Sequence, residues 1–131
     1  RTPYDPARSI HTVGDFCEGN GWQYTFFAPQ DPYGLIALFG GDKPFTTKLD
    51  GFFTNTDSMG EEASSDITGL IGQYAHGNEP SHHVIYLFNA IGHENRTQEY
   101  FTQTSRTVSS VMRIVAKCLP GIFFHLWDSI R

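Results

Sequence analysis

A chain of 131 residues with a net charge of -5 holds one modest domain. Nine lysines and arginines against fourteen acids give no basic footprint for phosphate, so nucleic acid is excluded as an expected partner. No run of roughly 18 apolar residues occurs, so no membrane-spanning helix is expected.

The first stretch, RTPYDPARSIHTVGD, has no hydrophobic period and reads as an extended lead-in. FCEGNGWQYTFFAPQDPYG follows, with a glycine-flanked polar turn and an aromatic cluster from Trp22 to Phe27. WQYTFF fits a helix or a strand equally well. LIALFGG is expected as a short helix, entered through Asp31 and Pro32 and ended by Gly40 and Gly41. In DKPFTTKLDGFFT, Asp42 is the expected cap, and Phe45, Leu49, Phe52 and Phe53 share one helical face. Core packing is the expected use of that stripe. NTDSMGEEASSD reads as a solvated acidic loop, because Asp57, Glu61, Glu62 and Asp66 do not follow calcium-loop spacing.

The central stretch is HGNEPSHH, His76 to His83, followed at once by the apolar run VIYLFNAIG. Polar groups crowded beside a buried segment suggest a site, because burying them unused costs free energy. Asn78 and Pro80 are also an ordinary helix-start signal, and a carboxylate there is favoured by the helix dipole. Both readings stand on local grounds. His83, Leu87 and Ile91, with Val84 and Phe88, then form one apolar helical stripe led by a histidine. NRTQEYFTQTS is expected as a further helix capped by Asn95. Asn95-Arg96-Thr97 is also a glycosylation sequon, usable only in a secreted protein. All the longer signals are of the α type, so the fold class expected is all-α.

Glu18 in CEGNGWQY and Glu79 in HGNEPSHH are two carboxylates in glycine-bounded, aromatic-rich settings. Paired carboxylates flanking a bond are the machinery of glycoside hydrolysis, one donating a proton and the other activating water or stabilising the ring cation. Trp22 beside the first offers a face on which a sugar can stack. His82 and His83 are adjacent and point to different sides of a helix, so they do not chelate one metal. No nucleophile elbow and no phosphate-cradling loop is present. Cys17 and Cys118 lack metal spacing and give little argument for a disulfide.

Three blocks, CEGNGWQYTFFAPQDPYGLIALFGG, FTTKLDGFF and IGQYAHGNEPSHHVIYLFNAIG with TQEY after it, resemble consecutive motifs of glycoside hydrolase family 92. These are calcium-dependent, inverting exo-α-mannosidases. The resemblance spans roughly residues 1–100. It implies part of an (α/α)6 barrel catalytic domain, which a β-sandwich domain precedes in complete members. It implies Glu79 as general acid, with Glu18, Trp22 and Gln23 lining the mannose pocket and Asn78, His82 and His83 as further substrate-binding residues. Calcium is the implied cofactor, with no ligands identifiable among these residues. The implied partners are mannose-containing glycans or glycoproteins, N-glycans above all, and the implied location is extracellular, with the cytosol as the alternative. Gln30 departs from the family, which usually has His there. Related readings are a glycan-releasing amidase acting on glycoprotein Asn, and a carbohydrate-binding remnant without turnover.

After about Tyr100 the resemblance stops, where the family continues with a motif of the form GNEDCGQMSAW. Read in the adjacent frame with suitable codons, Met112 to Gly121 yields EDCGQMSAW, and Trp127 followed by Asp128 can only give Gly. Residues 101–131 are therefore expected to be a frame-shifted tail, and the chain a truncated, inactive fragment.

Overall fold

The computed structural model describes residues 4–10, 12 and 14–107, together with the backbone alone at 105–107. Three short helices come first: α1 (Gly21–Thr25), α2 (Pro32–Leu38) and α3 (Asp42–Thr54). Helix α1 starts with a reciprocal cap, in which the Asn20 side chain accepts from the Gln23 amide and the Gln23 side chain accepts from the Asn20 amide. Helix α2 begins as its sequence indicates. Asp31 accepts from the Gly34 amide at 2.8 Å and Pro32 takes the first helical position. Its end runs into Gly40 and Gly41, at φ 90° and 106°, a conformation that glycine adopts without strain.

Helix α3 differs from expectation at its first residue. Gly41 is the cap and provides no side-chain hydrogen bond, while Asp42 is already helical. The carboxylate still lies in the first turn, where the dipole favours it. Phe45, Leu49, Phe52 and Phe53 are buried on one face, as the spacing predicts. They meet Phe26, Tyr74, Val84, Ile85, Leu87, Phe88 and Tyr100 in the main core.

A two-stranded antiparallel hairpin, β1 (Leu70–Ile71) and β2 (Tyr74–Ala75), follows the acidic loop. It corrects the purely α expectation: the described residues are helix-rich with one small sheet. Strands of two residues are too short to show an alternating pattern. The loop itself is anchored by Met59 and Ile67, which pack on Ala75 in a second, smaller cluster, while Asp57, Glu61, Glu62 and Asp66 are exposed.

The apolar stripe after the hairpin is not one helix. It is a 3-10 turn at Glu79–Ser81, another at Val84–Tyr86, and α4 (Leu87–Ala90). Pro80 in the first turn lacks an amide hydrogen, and the backbone tightens into bonds three residues apart. The stripe survives, with Val84, Leu87 and Phe88 buried, because positions three apart still share a side in a 3-10 turn. Helix α5 (Glu94–Thr107) closes the core by stacking Tyr100 on Phe53 at 4.3 Å and on Phe88 at 5.6 Å. Asn95 lies inside α5 and does not cap it. In the sequon, Asn95 is exposed and Thr97 is buried, its hydroxyl donating to Asn89 Oδ1 and Ile85 O. Among the described residues no helix is long and apolar enough to cross a membrane. Cys17 is exposed. Cys118 and the stretch 117–131, whose packing bears on the frame-shift reading, lie outside the described residues.

Candidate active site

The two motif loops are joined by a hydrogen bond from a side-chain amide to a backbone carbonyl. Asn78 is almost fully buried, and its Nδ2 donates to the Glu18 carbonyl at 2.8 Å, across 60 residues of sequence. The next residue, Glu79, opens the first 3-10 turn with its side chain exposed to solvent. The structure therefore brings the Glu18 loop and the GNEPSHH turn together. Asn78 occupies the cap position of that turn without capping it. Pro80 offers no amide hydrogen, and the Ser81 amide is taken by the Asn78 backbone carbonyl at 3.0 Å. The Asn78 Oδ1 is buried with no partner among the described residues.

The histidines beside Glu79 are held by carbonyls. His82 Nε2 lies 2.9 Å from the His76 carbonyl, and His83 Nε2 lies 2.8 Å from the Phe26 carbonyl. A carbonyl only accepts, so each of these nitrogens carries a proton. Burial pushes the His82 pKa down, opposed in part by its bond to the His76 carbonyl and by the charge of Glu79. Burial likewise lowers His83, against the pull of the Phe26 and Pro80 carbonyls. His76 is pushed down to about 4, first by burial and then by His82, whose ring centre is 5.4 Å away. Its Nδ1 meets the Tyr74 hydroxyl at 2.7 Å.

Gln23 is committed to structure. Its oxygen caps α1, and its Nε2 donates to the Gln73 carbonyl at 3.0 Å. Trp22 points elsewhere, into a groove of about 520 Å³ that it lines with Lys43, Pro44, Thr47, Lys48 and Gly51. Lys48 Nζ sits 3.4 Å from the Trp22 ring centre. That groove contains neither Glu18 nor Glu79. Gln73 and Tyr74 went unnoticed in the sequence, although Gln73 bonds the Asn20 side chain at 2.8 Å and Tyr74 supports His76. Among the described residues no three His, Cys, Asp or Glu side chains gather to hold a metal.

Residues 1–110 match the sequence model of the glycosyl hydrolase family 92 catalytic domain. The chain belongs to glycoside hydrolase family 92. A solved relative is the family 92 α-mannosidase from Bacteroides thetaiotaomicron in complex with mannoimidazole. The two share 36% identity and superpose with a TM-score of 0.70, over 81% of this chain and 14% of the mannosidase. The chain thus spans about one seventh of that relative's length. No curated protein matches it.

Proposed function

We propose that the chain is part of the catalytic domain of an inverting exo-α-mannosidase, with Glu79 as its general acid. The observation that carries this reading is 36% identity to an α-mannosidase across most of the chain. Glu79, exposed at the head of its turn, is free to approach a glycosidic oxygen. It donates a proton to that oxygen as the bond to mannose breaks, while a second carboxylate activates water on the opposite face of the ring. That base comes from the family segment beyond residue 100, and the calcium ligands likewise come from outside the described residues. Glu18 serves the same site from the other motif loop, on the side of the turn that Asn78 binds. The substrate is terminal mannose of secreted N-glycans, and the fold of the intact domain is an (α/α)6 barrel. The frame shift expected from about residue 101 falls no earlier than the end of the family match at residue 110, and this chain alone does not turn over.

The test is an aryl α-mannoside assay on a chimera in which residues 1–100 replace the aligned segment of the solved mannosidase. The chimera is expected to release mannose, and Glu79→Gln to lower kcat by about 10²–10⁴ with little change in KM, because proton donation acts in the transition state. A Glu79→Gln chimera with kcat within threefold of its parent refutes the acid role.

A further inference from the structure

Glu18 is the one non-glycine residue at positive φ among those described, at 51°. Glutamate has none of the local hydrogen bonding that eases Asn or Asp into that region, so the conformation must be imposed by its surroundings. Three successive carbonyls supply the means. Cys17 O accepts from the Tyr24 hydroxyl at 2.8 Å, Glu18 O from Asn78 Nδ2 at 2.8 Å, and Gly19 O from the Ser9 hydroxyl at 2.8 Å. Tyr24 and Ser9 tie the loop to its own neighbourhood. Among the described residues, Asn78 is the one whose side chain ties it to the turn that carries Glu79.

We propose that Asn78 is a positioning residue, whose buried amide locks the left-handed backbone of Glu18 and so fixes the Glu18 loop against the Glu79 turn. A glycine at position 18 would take the same backbone without cost. A glutamate held there at a cost indicates that its carboxylate is used, and the lock sets where it projects. Asn78 donates to Glu18 through Nδ2, the amide atom that a helix cap does not use, so this bond does not compete with its place at the head of the turn. This inference rests on the mannosidase reading for its purpose, and not for its geometry.

The experiment is amide hydrogen exchange on the full chain, with melting followed by circular dichroism, for the wild type, Asn78→Asp, Glu18→Gly and the double variant. Asp retains size and loses the donor, so exchange at Gly19 and Asn20 is expected to rise at least tenfold while α3 and α5 keep their protection. In the double variant, glycine no longer needs the lock, and exchange at those amides is expected to return to within threefold of wild type. Exchange at 19–20 unchanged in Asn78→Asp overturns the proposal. So does uniform loss of protection that Glu18→Gly fails to rescue, which marks Asn78 as a general fold residue. Should Asn78→Asp not fold, Glu18→Gly alone decides: it is expected to melt higher than wild type, and a lower melting point overturns the strain. None of these readouts requires turnover, so a chimera of residues 1–100 that releases no mannose, beside a full chain that shows the rescue, removes the mannosidase reading and leaves the lock standing.

Discussion

Replacing Gln73 with Met tests the buried amide network that joins α1, the acidic loop and the hairpin. Gln73 is 1% exposed, and its side chain works at both ends. Oε1 accepts from Asn20 Nδ2 at 2.8 Å, and Nε2 donates to the Asp57 carbonyl at 2.8 Å, with longer contacts to Asn55. Methionine has nearly the same shape and leaves one Asn20 N–H and the Asp57 carbonyl unpaired. A buried group left unsatisfied costs about 1–3 kcal/mol. Two such groups, eased by the extra apolar surface and by relaxation of the loop, give an expected loss of about 3 kcal/mol. For a domain of this size that is a fall in Tm of roughly 10–20 °C. Circular dichroism at rising temperature, with urea unfolding as the second measure, reads it directly. A Gln73→Met protein within about 1 kcal/mol of wild type would refute the view that this network is worth more than an apolar replacement.

His76 makes stability depend on pH. Its folded pKa of about 4 lies below the ordinary value of 6.5, so the neutral ring favours folding. The contribution is complete above pH 6.5 and is lost as the pH falls through about 4. Urea midpoints between pH 4 and 7.5 should show that decline, and a His76→Gln curve as steep as wild type would assign it to another group. Gly72→Ala should break the hairpin, since an added Cβ would meet the Phe53 carbonyl carbon at 2.5 Å and the backbone is at φ 57°. A loss of more than about 2 kcal/mol in urea unfolding is expected, and a loss below about 0.5 kcal/mol would contradict the close approach.

What the sequence revealed follows from range. Asp31, Pro32 and the Gly40–Gly41 pair marked α2 because capping is settled within a few residues. The α3 stripe was legible because three buried phenylalanines and a leucine obey one period, and Phe53 duly meets Tyr100. The hairpin was not, since its two-residue strands carry no period. The amide network was hidden for another reason: Asn20 and Gln73 are 53 residues apart, and no local rule pairs them. In the candidate site, the sequence singled out Glu18 and Glu79 as carboxylates in special settings. It gave no sign that Asn78 would spend its amide on Glu18, because that choice depends on where two distant loops meet. Nor did it separate Gln23, which serves as a cap, from residues facing a ligand.

The tautomer of His82 bears on how an acid at Glu79 would be recharged. With Nε2–H fixed on the His76 carbonyl and its pKa lowered by burial, His82 is a poor source of a proton for Glu79 between turnovers. Its Nδ1 is enclosed and has no partner among the described residues, so it does not begin a relay toward the interior. Glu79 faces solvent directly. On the proposed mechanism each spent proton is therefore replaced from bulk water through the open side of the turn. Buffer concentration, and not the state of the neighbouring imidazoles, would then govern recovery wherever reprotonation limits the cycle.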